Sequence, residues 1–342
     1  MRRLRNPLTP DADNGELALL ERIRRYAAGS GGKELHLGIG DDCALIRIKP
    51  GEEIAITTDL SIAGPHFRLE WHPPGVVGHR TLARGLSDIA AMGARPVAAF
   101  LSLGLPRELT LKKGKRLPWI DGFLDGFLAL ASKYKTPLAG GDLAQSPLAV
   151  ADIVLVGAVP RGKALLRSGA RPGDLLYVTG ALGGAAAGLN QLRKHNSKTP
   201  AAHANPNNPD DSLAQHLWPQ PRIPQGLWLS RRGAATAAID ISDGLSTDLD
   251  HLCVESGVAA EVVAASLPVF PGASLNEALH GGEDYELLFT APLGAPVPRR
   301  IAKIPVTRIG RIVEARTGQP RIVLETSSGR QPLARRGWQH FS

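Results

Sequence analysis

The chain has 342 residues, of which 43% are hydrophobic and 21% charged, and its formal net charge is +8. That length exceeds the usual single domain and the balance leaves ample apolar surface to bury, so two globular domains are expected and disorder is excluded as the class. The basic residues are dispersed, with short clusters only at Arg2 to Arg5, Arg22 to Arg25 and Lys112 to Arg116, and aromatics are 5%. Without interleaved rings on a basic face there is no stacking platform, so no nucleic-acid partner is expected. No apolar run approaches the roughly 18 residues a membrane span needs. The basic N-terminus runs into Asp11, Asp13 and Asn14 instead of an apolar stretch, so no signal peptide and no membrane partner are expected. Cys43 and Cys253 lie in different halves, both in apolar stretches, and read as buried reduced thiols of a cytoplasmic protein.

In chain order, Glu53 to Asp59 alternates apolar and polar positions and predicts a strand that ends at the carboxylate. Pro74 to Gly93 carries helix punctuation at both ends, with Leu82, Leu86 and Ile89 at helical spacing. Val97 to Leu103 and Ala151 to Val159 are apolar runs of strand length, and Trp119 to Lys133 predicts a helix with Phe123, Phe127 and Leu130 on one face. The turn-rich stretch Arg161 to Asp174 marks a domain boundary, giving domains at 16–160 and 161–342. The second half restarts with strand Leu175 to Thr179 and a glycine-rich helix start at Gly180 to Leu189. Residues 190–220 turn polar and read as a mobile surface excursion. Strand Ala237 to Ile241, helix Asp243 to Glu255 closed by Gly257, strand Glu286 to Thr290 and strands from Arg308 onward complete an α/β (α+β) chain.

The aspartates stand out by position. Asp41 and Asp42 follow a glycine turn, Asp59 ends a strand, Asp88 interrupts an apolar helix face, Asp142 follows Gly140 and Gly141, and Asp240 and Asp243 bracket a strand-to-helix turn. Each alone reads more readily as a cap, a turn residue or a solubilising strand end. Together, acids beside tight glycine turns suggest oxygen ligands for hard cations shared with nucleotide phosphates. The glycine run Gly180 to Gly188 could cradle phosphate at a helix start, although close packing of helix on sheet explains it better. Walker, Rossmann, HExxH, CxxC and GxSxG patterns are absent.

Eight ordered motifs then carry a resemblance: GIGDDCAL (Gly38 to Leu45), TTD (Thr57 to Asp59), AGPHF (Ala63 to Phe67), LSDIAAMGA (Leu86 to Ala94), GGD (Gly140 to Asp142), RSGARPGD (Arg167 to Asp174), DISDGLSTDL (Asp240 to Leu249) and GGEDYELLFT (Gly281 to Thr290). In this order, from about Glu16 to Phe341, the chain resembles the thiamine-monophosphate kinase family of the aminoimidazole ribonucleotide synthetase-like superfamily. The resemblance implies a two-domain fold whose N-terminal domains pair into an intersubunit β-barrel, hence a homodimer. By the same resemblance, Asp42, Thr57, Thr58, Asp59, Asp88, Asp142, Asp240 and Asp243 match ligands of several Mg2+ ions. Gly141, Asp142, Arg167 and Ser242 match ATP contacts, and His66, Glu283 and Trp338 match thiamine-monophosphate contacts.

The implied reaction is direct in-line transfer from ATP to thiamine monophosphate, with catalysis by metal ions and no covalent or acid–base residue. Gly85 stands where the family commonly has Asn, and Leu143, Ala144 and Gln145 where it has Thr, Thr and Arg; the glycine turn Gly180 to Gly184 lacks the family's acidic or hydroxyl residue. The alternatives are another ATP-using member of the superfamily, or a regulatory paralogue that binds nucleotide without catalysis.

Overall fold

The computed structural model describes residues 16–27, 33–113, 117–194, 204–205, 208 and 210–339; the basic cluster Arg2 to Arg5 lies outside them. Helix α1 (Glu16–Ala27) precedes the short pair β1 (Leu35–Leu37) and β2 (Leu45–Ile46). Then come β3 (Glu52–Ile62), α2 (Pro74–Ala91), β4 (Arg95–Leu105), α3 (Pro118–Tyr134), β5 (Leu138–Gln145) and β6 (Val150–Pro160). The second half runs β7 (Leu175–Thr179), α4 (Gly184–Lys194), α5 (Ser212–Leu217), α6 (Ile223–Arg232), β8 (Ala237–Asp240), α7 (Leu245–Ser256), β9 (Val258–Val263) and α8 (Leu275–His280). It closes with β10 (Leu287–Ala291), β11 (Arg300–Ile301), β12 (Ile304–Glu314), β13 (Ile322–Thr326) and β14 (Gly329–Pro332).

The first sheet is ordered β3-β6-β4-β5 and the second β14-β13-β9-β12-β7-β10-β8. Helices α2 and α3 lie on the first sheet because Leu82, Leu86, Ile89, Phe123 and Phe127 form apolar stripes that meet Ile153 and Leu155, all essentially buried. Each such side chain contributes about 1.5–3 kcal/mol by leaving water. Strands β8 and β10 of the second sheet are buried on both faces. Along β10, Leu288 joins α7 and its Leu249 and Leu252, while its neighbours Leu287 and Phe289 join the core shared with α2 and α6. That alternation is the two-residue strand period applied to a strand with no solvent face. It welds the two halves through α2, and Gly226 on α6 lets the helices approach so closely that a Cβ there would strike the Ala90 carbonyl.

Several expectations shift. The strand holding Asp59 continues to Ile62, so Asp59 sits inside β3 instead of ending it. Cys43 is exposed on the glycine turn, not buried; Cys253 is buried in the second core. Residues 190–220 are not wholly a surface excursion. Helix α4 runs on to Lys194, and α5 buries Leu213, Ala214, His216 and Leu217; residues 195–203, 206–207 and 209 lie outside the described residues. The polar composition misleads because its apolar residues are few but gather in one cluster, Leu192 from α4 with Leu213 and Leu217 from α5.

Three buried imidazoles join α2 and its preceding loop to this segment: His72 meets His216, and His79 donates from Nε2 to the Pro219 carbonyl at 2.8 Å. Burial pushes His79 down to about 4. Its folded pKa is thus below its unfolded value near 6.5, and its contribution is lost as pH falls from about 6.5 toward 4, where only the unfolded chain takes the proton. His79→Gln keeps a donor for Pro219 without a titrating ring. Its stability deficit relative to wild type, from urea melts, should shrink by about 1 kcal/mol between pH 7.5 and 5.5. A deficit independent of pH would contradict a buried, neutral His79.

Candidate functional site

A cavity of about 620 Å3 opens where α2, the turn between β8 and α7, the segment 280–285 and the C-terminal residues 336–338 meet. That volume suits a small organic ligand. Its acidic floor is built from both halves. Thr57 and Asp59, two apart on β3, share the face turned toward α2, where the Thr57 hydroxyl donates to Asp88. On α2, Arg80, Arg84 and Asp88 stand four residues apart on one helix face. Arg84 grips both oxygens of Asp59, Nε to Oδ2 at 2.8 Å and Nη2 to Oδ1 at 2.7 Å. Ser87 donates to Asp240 Oδ2 at 2.6 Å, tying α2 to the end of β8.

These carboxyls strain against ionisation. Burial, then the Asp240 charge, lifts Asp88 to about 7, the Thr57 hydroxyl partly opposing. Burial likewise raises Asp240, with the Ser87 hydroxyl and the positive charge of Arg167 opposing it. Arg167 is itself exposed, and its charge acts on both Asp88 and Asp240.

The turn carrying Ser242 and Asp243 is held from below by Asp248, whose Oδ2 accepts the N–H groups of Ser242, Asp243 and Gly244, each at 3.0 Å. Asp243 is therefore not the helix cap; Gly244 occupies that position at φ 113, where a side chain would strike the His280 backbone. Opposite lies the strained segment with Glu283 at φ 69 and Tyr285 at φ 50. Left-handed backbone costs a non-glycine residue roughly 1–2 kcal/mol. It is offset here by bonds from Glu283 N to the Ser242 carbonyl at 2.8 Å and Tyr285 N to the Ile241 carbonyl at 2.9 Å. Asp284 between them accepts from Gly183 N at 2.7 Å and Ala185 N at 3.1 Å. The glycine run before α4 thus serves close packing and receives a protein carboxylate at the point where phosphate was considered.

His66, Glu283 and Trp338, from three distant parts of the chain, all line this cavity together with Asp59, Asp88, Asp240, Ser242 and Asp243. Trp338 is fixed through its backbone N–H to the Asp243 carbonyl at 3.0 Å, and the His66 Nδ1 accepts from Ile62 N at 3.1 Å. Not every expected ligand is brought here. Asp42, Gly141 and Asp142 line a second cavity of about 960 Å3 beneath α1. In sheet register Asp59 faces Ile153, Ile153 faces Leu101 and Leu101 faces Gly141, three strand spacings or roughly 14 Å. Thr58 points to the opposite face of β3 from Thr57 and Asp59. Among the described residues no three His, Cys, Asp or Glu side chains stand close enough to hold one metal ion.

Arg80, Arg84, Ser87, Asp248 and His216 were not singled out in the sequence. The first three carried a signal, the four-residue spacing that ends at Asp88 and the hydroxyl beside it; His216 carried none.

The AIR synthase related protein N-terminal domain matches residues 40–159 and the corresponding C-terminal domain residues 171–322. A thiamine-monophosphate kinase of Salmonella typhimurium is 42% identical over 288 residues, 81% of this chain and 83% of the relative. The chain belongs to the thiamine-monophosphate kinase family. The solved structure of a member from Stenotrophomonas maltophilia K279a superposes with a TM-score of 0.74 at 37% identity, covering 91% of this chain and 96% of that one. AaThiL complexed with AMPPCP and TMP superposes with a TM-score of 0.72 at 30% identity, covering 98% and 99%. Across the family's two matched domains, the cavity lies where Asp59 and Asp88 of the first meet Asp240 and Glu283 of the second.

Proposed function

We propose that this protein transfers the γ-phosphoryl group of ATP to thiamine monophosphate, giving thiamine diphosphate and ADP. The observation that carries this reading is the convergence of His66, Glu283 and Trp338 on the acid-lined cavity. It is supported by the similarity to AaThiL, complexed with AMPPCP and TMP. An aromatic face and a carboxylate suit a cationic thiazolium and an aminopyrimidine, and an imidazole suits the phosphate.

Magnesium fits the donors: Asp240 is buried and Asp88 partly so, and the Asp240 charge opposes that of Asp88, which calls for a hard cation. When bound, Mg2+ supplies the positive charge that lets two anionic phosphates approach. In this reading Asp59, Asp88, Asp240 and Asp243 of the first cavity, with Thr57 beside Asp88, would hold several such ions between them, no three of the carboxylates sharing one. Asp42, Thr58 and Asp142 complete the set in the assembled dimer, with Gly141, Arg167 and Ser242 on the nucleotide. The acceptor phosphate is already largely a dianion near neutrality, since its second pKa is about 6. Its oxygen therefore forms the new bond to the γ-phosphorus without a general base. The bridging oxygen leaves with ADP and keeps the electron pair, and no enzyme group is modified.

The homodimer rests on β3, an edge strand of 11 residues paired only with β6 among the described residues. Its outer face exposes Ile54, Ile56 and Leu60 at 52%, 64% and 47%. A long apolar edge is an aggregation hazard unless covered, and a second copy would cover it. The cytoplasm, where ATP and reduced thiols such as the exposed Cys43 coexist, is the proposed location. No helix among the described residues is long and apolar enough to cross a membrane.

Three outcomes follow for the purified enzyme. Asp88→Asn should lower turnover at least a hundredfold, on the order of a lost charge-stabilising group, with an unchanged far-ultraviolet spectrum; near-normal turnover would make Asp88 structural. Trp338→Ala should raise KM for thiamine monophosphate about tenfold and leave KM for ATP nearly unchanged, because only one substrate loses its stacking partner. Ile56→Lys should sediment as a monomer, whereas a dimer of unchanged affinity would place the interface elsewhere.

A further inference from the structure

Glu283 is gripped from two sides by residues outside the motif set. Arg80, buried on α2, donates to Oε1 and also to the His216 carbonyl. His216, on α5 and 2% exposed, turns Nδ1 toward Oε2 at 3.6 Å, just beyond hydrogen-bond reach, and Nδ1 is buried with no hydrogen-bond partner. Buried polar atoms are rarely left so, and this one borders the cavity that Glu283 and His216 both line.

The bonds around the second imidazole decide which atom carries the proton. The Arg68 carbonyl already accepts from the backbone N–H groups of Trp71 at 3.0 Å and His72 at 2.8 Å. His72 Nδ1 stands 3.1 Å from both the Arg68 carbonyl and the Arg68 N–H; the carbonyl already has those two donors, whereas no other acceptor meets the N–H among the described residues, so Nδ1 accepts from it through a lone pair. His72 then carries its proton on Nε2, which lies 3.1 Å from His216 Nε2. His216 must accept at Nε2 and hold its own proton on Nδ1, facing Glu283. The reverse assignment would set a nitrogen lone pair against a carboxylate oxygen. Both rings stay neutral, because burial and the Arg80 charge oppose protonation.

We propose that His216, fixed by His72 in its Nδ1–H tautomer, is a positioning residue that with Arg80 aims the Glu283 carboxylate at the acceptor's ring system. The proposal rests on the thiamine-phosphate reading of this cavity. It also gives the segment after α4 a role, since α5 delivers one N–H to the acceptor wall. Glu283 then presents a fixed acceptor pair to an aminopyrimidine or a cationic ring, and it does so without neutralising itself against a mobile cation.

The tautomer is read first, on the wild-type protein without substrate. In a long-range 1H–15N spectrum of histidine-labelled protein, assigned by loss of one ring in His216→Asn, His216 should show a protonated Nδ1 and His72 a protonated Nε2. A protonated Nε2 on His216 overturns the proposal, whatever the protein catalyses. Kinetics then separate position from mere packing. His216→Asn places an amide N–H near the Nδ1 position and should keep KM for thiamine monophosphate within about twofold. His216→Gln, which reaches only the Nε2 position, and His216→Phe should raise it about tenfold, the scale of a hydrogen bond to a charged group. KM for ATP should stay within about twofold in all three. Equal losses in Asn and Gln, or a parallel rise in KM for ATP, would make His216 a packing residue. Were wild type itself inactive on thiamine monophosphate, the functional reading would fail while the tautomer still decided the role of His216.

Discussion

Asp88 and Asp240 come from different halves of the chain and meet on the floor of the cavity, Asp240 buried and Asp88 partly so, where the Asp240 charge disfavours that of Asp88. Much of the surrounding structure answers that repulsion. Ser87 and Thr57 donate to them, Arg167 lends charge from the rim, and Arg84 occupies the neighbouring Asp59. Such an arrangement costs stability as a packing solution, because burying like charges is unfavourable without a compensating cation. It makes sense as a site that keeps its oxygens ready for cations and polyphosphates.

Holding those oxygens in place requires rigidity, and α2 supplies it. The helix is buried on both sides, against the first sheet and against α6 and the second sheet, so Arg80, Arg84 and Asp88 are carried on one fixed rail. The second half contributes turns instead of helices: Asp248 ties down the backbone of residues 242–244, and the left-handed Glu283 and Tyr285 are locked onto it. The Arg222 and Glu286 pair, with Thr179 donating to the same carboxylate at 2.6 Å, fastens α6 to this segment. A rigid floor and a stapled wall form a preorganised site of the kind electrostatic catalysis needs.

Much of the fold was legible because period and punctuation agreed. The stripe Leu82, Leu86, Ile89 and the prolines and glycine around it mark α2, and the alternation from Glu53 marks β3. Strand β5 was hidden, since Gly140 and Gly141 read as a turn although they sit in the sheet, where a side chain at Gly141 would strike the Leu101 carbonyl. That changes the place of Asp142 from a loop to the far edge of the sheet. The acids themselves were legible as a set, but their division between two cavities was not, because strand order in the first sheet is a long-range property. His216 was invisible for a plainer reason. It sits in a polar stretch, and only its packing against His72 and Glu283 gives it meaning.

Phosphorus NMR of the purified protein with ATP, Mg2+ and thiamine monophosphate tests the central claim most directly. Direct transfer predicts that thiamine diphosphate and ADP resonances grow in equal amounts, at the expense of both substrates and without free phosphate. Release of inorganic phosphate with thiamine monophosphate unchanged, or bound ATP that never turns over, would contradict it.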